Sequence, residues 1–225
     1  MQDTYFSRCG RALGIGCAVL AGAMAFAYGT AEAASEKENG HVHEAHKSDD
    51  IYRGYFDDSQ IEARTLADWE GDWQSVYPYL VDRSLDPVLA HKAENGDKTI
   101  EEYRADYQSG YKTDVERIVI NGDTFTFYRG GKPVQARYAS DGHEVLTYKK
   151  GNRGVRYIFK KTAGDAAAPM FVQFSDHAIA PLKAGHYHIY SGDDRAALLK
   201  EVTNWPTYYP AGLTADDIVK EMLAH

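Results

Sequence analysis

Three histidines fall within twelve residues of one another, His177, His186 and His188, in the run from Gln173 to Tyr190. Imidazole is the commonest metal ligand among side chains, so this spacing is where chemistry would lie. Alternate residues on a strand share a face, so His186 and His188 point together while Tyr187 and Ile189 point the other way. The intervening Pro181-Leu182-Lys183-Ala184-Gly185 reads as a turn. A hairpin centred near Pro181-Leu182 or Leu182-Lys183 would set His177 opposite His186 or His188 on that face, and a slip of one residue would undo the arrangement. Three neutral imidazoles so placed are the protein half of an open tetrahedral zinc site.

The fourth position could be filled by water, by Asp176 or Glu70, by the terminal His225, or by a histidine from upstream. Water or another exchangeable ligand is favoured, because an incomplete shell lets a receiving ligand enter before the metal leaves. Asp176 adjoins His177 and faces the other way on a strand, which suits a hydrogen-bonding residue better than a ligand. The competing reading of the triad is polar strand residues, or core histidines satisfied by hydrogen bonds. His91, in a helical stretch, and His143, after an Asp-Gly turn, read as surface residues.

The elements that must position these side chains are mostly strands. Val115–Ile120 meets Thr124–Tyr128 across Asn121-Gly122-Asp123, a strong hairpin signal. Val134–Tyr138, Glu144–Lys149, Val155–Lys160, Pro169–Phe174 and His186–Tyr190 continue the series. About seven short strands joined by tight turns predict a mainly β protein, an up-and-down antiparallel barrel. Helices flank it. Leu85 to Tyr111 reads as helical, with Asp97 or Thr99 capping the part that holds Ile100, Tyr103 and Tyr107. Asp193–Val202 and Thr214–Leu223 form two more, the last with a capping box at Thr214 and Asp217. Gly71-Asp72-Trp73 is read as aromatic closure of one end of the core, and Asn204–Pro210 as a stretch packed on the barrel mouth.

Arg8 and Arg11, an apolar run from Ala12 to Ala27 and the Ala31-Glu32-Ala33 site read as a secretory signal over residues 1–33. The run is shorter than the ~20 residues that span a bilayer, so no membrane insertion is expected. Both cysteines, Cys9 and Cys17, lie within the signal, so the remainder offers only nitrogen and oxygen ligands. Loss of Asp3 and Glu32 is balanced by loss of Arg8 and Arg11, which leaves the net charge at −8 and argues against nucleic acid as a partner. Residues 34–50 lack hydrophobic periodicity and carry His41, His43 and His46, a flexible arm able to collect divalent cations loosely. One domain, residues 51–225, follows and is read as a monomer.

The runs Asp68–Pro78, Tyr107–Asp114, Gly154–Phe159, Gln173–His177, His186–Ile189 and Asn204–Pro210 together resemble the ZinT (YodA) family of metal-binding proteins. The likeness covers about Tyr55 to His225. It implies a lipocalin-like (calycin) β-barrel with flanking helices, exported to the periplasm, binding zinc and also cadmium through His177, His186 and His188, with His41, His43 and His46 as accessory candidates. Copper and nickel are chemical alternatives for such a nitrogen site. The resemblance further implies a role in zinc uptake, with metal handed to the solute-binding protein of a zinc ABC transporter, and no catalysis. Some members have a cysteine pair where this chain has Ala136 and, near the matching place, Lys160-Lys161. Two other functions fit part of the pattern: a zinc hydrolase or hydratase using three histidines and water, and a carrier of small apolar molecules inside the barrel.

Overall fold

The computed structural model describes residues 49–201 and 203–224. Eight antiparallel strands close into a barrel in chain order: β1 (Gly71–Ser75), β2 (Arg117–Asn121), β3 (Thr124–Arg129), β4 (Lys132–Thr147), β5 (Arg153–Gly164), β6 (Phe171–Ser175), β7 (Tyr187–Gly192) and β8 (Thr207–Pro210), with β8 returning to β1. Closure removes both sheet edges, so every strand has two hydrogen-bonded neighbours.

The barrel differs from the seven expected strands in two ways. Val134–Tyr138 and Glu144–Lys149 are parts of one long strand, β4. The Asp141-Gly142 pair makes a bulge, with the register to β5 shifting between Ser140 and His143 and Gly142 at φ 85°. The added strands, β1 and β8, come from the two aromatic stretches read as end closures. Trp73 pairs with Ile118 on one side and Pro210 on the other. Prolines bracket β8, and their punctuation hides a strand whose partners lie far away in sequence.

The interior follows from alternation. Trp73, Ile118, Ile120, Phe125, Phe127, Tyr138, Tyr157, Phe159, Phe174, Tyr187, Ile189 and Tyr208 form one buried cluster to which all eight strands contribute. Trp69 caps it, stacked on Phe174 at 4.6 Å. This interior is filled by rings, which leaves the barrel axis to side chains rather than cargo. Ala136 packs within it, opposite Phe125 on β3 and Gly164 on β5, so Lys160 and Lys161 are not its cross-strand partners.

Helices cover the outside. The expected run from Leu85 to Tyr111 is two helices, α2 (Asp86–Asn95) and α3 (Ile100–Tyr111), after a short α1 (Tyr77–Val81). Thr99 caps α3, reciprocally bonded with Glu102. A β-carbon on Gly96 would lie 2.0 Å from the Tyr103 hydroxyl, so the chain turns there on a residue without one. The helix α4 (Arg195–Lys200) starts at an Asp194 cap, and α5 (Ala215–Leu223) starts at the Thr214–Asp217 box as expected. Val76, Leu80, Leu85, Leu89, Tyr111, Tyr209 and Ile218 form a second core between these helices and the outer face of β8. None of the described helices is long and apolar enough to cross a membrane.

Candidate metal centre

Tyr187 and Ile189 lie in the barrel core, so His188 occupies the opposite, outer face of β7. His186 immediately precedes the strand. The histidines therefore do not face into the barrel, as an interior binding site would require. His177 is not on a strand either: β6 ends at Ser175, which pairs with His188, and His177 follows in the loop with φ 66°. The expected cross-strand pairing of His177 is thus replaced by a loop position. Non-glycine residues take that left-handed conformation uncommonly, and its energetic cost means that it persists only where the surroundings enforce it.

The loop nevertheless brings His177 to the pair. One ligand nitrogen from each of His177, His186 and His188 lies within 4.8 Å of the other two, and among the described residues this is the one group of three metal-ligating side chains so placed. Ring centroids are 6.2 Å apart for His177 and His186, 5.9 Å for His177 and His188, and 5.9 Å for His186 and His188. A tetrahedral zinc with nitrogens at about 2.0–2.1 Å would separate them by roughly 3.4 Å, within reach of small side-chain rotations. The donor set fits zinc: three nitrogens, no thiolate, and room for one more ligand.

Each imidazole has its own neighbour. Tyr52 stacks on His177 at 4.4 Å and Tyr209 on His186 at 5.1 Å. His188 Nδ1 is 2.7 Å from the Thr207 hydroxyl. Burial, then the positive charge of His186, His177 and Arg156 nearby, pushes His188 well below the ordinary imidazole range, which favours the neutral, ligating form. A cavity of about 290 Å³ lies on one side, lined by Tyr52, Phe56, Tyr148, Ser175, His177 and His188. A groove lined by Asp49, Asp176, His186 and Glu221 lies on the other, with Tyr52 and His177 between the two.

Asp176 is engaged elsewhere. Its carboxylate accepts two bonds from the Arg64 guanidinium, at 2.5 and 2.9 Å, one from Trp69 Nε1 at 3.1 Å and one from the Ala178 amide at 3.3 Å. Arg64, with its side chain wholly buried, also donates to Asp68 and to the Leu182 carbonyl and lies 4.1 Å over the Trp69 ring. This cluster clamps both ends of the segment that carries His177. Glu70 accepts from the Gly122 amide in the β2–β3 turn. His91 sits on α2 and His143 on β4, both outside the triad. His41, His43, His46, His225 and the signal over residues 1–33 lie outside the described residues. Arg64, Tyr52, Tyr209 and Thr207 were not singled out by sequence. Their one local signal is the Asn204–Pro210 motif, which contains Thr207 and Tyr209.

A closed eight-stranded barrel with three converging histidines on its outer face is a lipocalin-like metal-binding architecture. The chain belongs to the ZinT (YodA) family: the family's profile, described as periplasmic lipocalin-like zinc-recruitment, matches residues 47–225. It is 57% identical over 180 residues to "Probable metal-binding protein YrpE" of Bacillus subtilis, covering 80% of this chain and 72% of that protein. It is 47% identical over 193 residues to the zinc-binding lipoprotein AdcA of Streptococcus pneumoniae, covering 84% of this chain but only 38% of AdcA. The crystal structure of the Zn(II)-bound ZinT-like domain of that AdcA matches with a TM-score of 0.75 and 48% identity, over 77% of this chain and 97% of that domain.

Proposed function

We propose that His177, His186 and His188 hold one zinc ion with an exchangeable fourth position, and that the protein captures and passes on zinc without chemical turnover. The observation that carries this is the convergence of three ligand nitrogens within 4.8 Å. The Zn(II)-bound relative at 48% identity supports zinc as the ion. Cadmium suits the same nitrogens, and copper or nickel would compete according to supply. A non-catalytic role is supported by the acid nearest in sequence: Asp176 has its oxygens occupied by Arg64, Trp69 and an amide, which leaves them unsuited to a general base.

The receiving partner in this reading is the solute-binding protein of a zinc ABC transporter. AdcA, named a zinc-binding lipoprotein, carries a ZinT-like domain within a much longer chain, which supports such a domain working beside other parts of a zinc-binding protein. His41, His43 and His46 would collect ions for the fixed site. An extracytoplasmic location accords with a relative that is a lipoprotein and with a family described as periplasmic.

Zinc titration by calorimetry tests the proposal on three proteins: residues 34–225, the same chain with His177, His186 and His188 replaced by alanine, and the chain lacking residues 34–50. The expected result is loss of the tight site in the triple variant, with only weak sites lost on removing the arm. Unchanged tight binding by the triple variant would overturn the assignment.

A further inference from the structure

His188 has two ring nitrogens, and only the unprotonated one can bind a metal. Its Nδ1 lies 2.7 Å from the Thr207 hydroxyl oxygen. That hydroxyl has a single proton, and the Trp205 carbonyl 2.9 Å away can only accept, so satisfying both contacts at once assigns the proton to the carbonyl. The oxygen therefore meets Nδ1 with a lone pair, and Nδ1 must carry the hydrogen. Nε2 is left as the lone-pair donor.

The carbonyl that sets this chain of donors is itself fixed. The Trp205 amide donates to the Gly110 carbonyl at 2.6 Å, and the Asn204 side chain donates to the carbonyls of Ser109, Gly110 and Lys112 at the end of α3. Thr207 is almost fully buried and sits directly across from His188 in the β7–β8 register. Reversing the tautomer would require the hydroxyl to turn from Trp205 and leave a part-buried carbonyl without this donor.

We infer that Thr207 is a positioning residue for the metal site: braced through Trp205 and Asn204 on the end of α3, it holds His188 as the Nδ1–H tautomer with Nε2 as the metal ligand. This rests on the three-histidine reading proposed above. It also assigns a role to the Asn204-Trp205-Pro206-Thr207 run, which stands apart from the ligands.

The test compares wild type with Thr207→Val, which keeps the shape and removes the hydroxyl, and Thr207→Ser, which restores it. Long-range nitrogen–proton NMR on the metal-free proteins at about pH 8, where imidazoles are neutral, reads the His188 tautomer directly. Competition with a zinc chelator reads affinity. Expected are Nδ1–H in wild type and the serine variant, a shift toward Nε2–H in the valine variant, and a loss of zinc affinity on the order of 10- to 100-fold in that variant alone. An Nε2–H tautomer in wild type would overturn the inference. So would weaker binding by the valine variant with its tautomer unchanged, which would mark a packing effect. The NMR result stands independently of zinc, so failure of the triple-alanine test leaves the tautomer claim separately decided.

Discussion

The three candidate ligands are held in two different ways. His188 sits on β7, where the ladders to β6 and β8 set its direction, and His186 immediately precedes that strand, stacked on Tyr209 of β8. His177 sits in a loop in a left-handed conformation, and what fixes it is a buried ion cluster built from Arg64, Asp176, Asp68 and Trp69. A strand holds a ligand through many weak repeated bonds, whereas the loop depends on one concentrated set of contacts. The loop should therefore be the more easily broken half.

The largest effect is expected at that cluster. Arg64→Met leaves Asp176 charged and buried without its cation, with only the Trp69 and Ala178 donors remaining, which should cost about 3–5 kcal/mol of stability and weaken zinc binding. Chemical denaturation measures the first and chelator competition the second. The double change Arg64→Met with Asp176→Leu should recover most of the stability but not the affinity, because His177 then lacks its clamp. Recovery of both would mean that the strand pair alone organises the site.

Removing single ligands comes next. His177→Ala and His188→Ala should each lower zinc affinity on the order of 10²- to 10³-fold, a share of the total binding energy of a nitrogen-ligated zinc. The two should differ in the metal-free protein: His188→Ala removes a partner of Thr207, whereas His177→Ala leaves the Asp176 bonds in place. Thermal melting without metal distinguishes them.

A smaller effect is expected from acid. His188 is neutral in the fold because burial lowers its pKa below the unfolded value of about 6.5, so the unfolded chain takes up a proton there first. Stability of the metal-free protein should be complete above that value and fall by about 1.4 kcal/mol per pH unit as pH drops below it, until the folded pKa is reached. His188→Gln should flatten this slope in denaturation curves collected across pH. The smallest change is Tyr52→Leu, which removes the ring stacked on His177. Affinity should fall only about two- to tenfold, in keeping with about 0.5–1.5 kcal/mol for a stacked pair. Tyr209→Leu offers the matching measurement at His186, and a larger loss at Tyr52 would confirm the loop as the weaker half.

Much of this architecture was legible in local pattern. The Asn121-Gly122 hairpin, the Thr214–Asp217 cap and the helical spacing of Ile100, Tyr103 and Tyr107 each act within a few residues, so local pattern reveals them, whereas the choice of Thr99 over Asp97 as the α3 cap, and Glu102 as its partner, came from the structure. β1 and β8 escaped because Trp73 and Tyr208 are strand residues only by virtue of partners far away in the chain, and prolines at both ends of β8 imitate a loop. Asp141-Gly142 misled in the other direction, since a bulge and a turn use the same residues.

For the site, the division follows the same physics. Strand alternation alone determined that His186 and His188 share a face opposite Tyr187 and Ile189, and the residue types alone restricted any metal to nitrogen and oxygen donors. Only the tertiary structure decided that this face is the outer one, that His177 joins the pair from a left-handed loop, and that Arg64 and Thr207 hold the two halves. Arg64 meets Asp176 across 112 residues of chain. Contacts of that range arise when the barrel closes, and no periodicity or short motif encodes them.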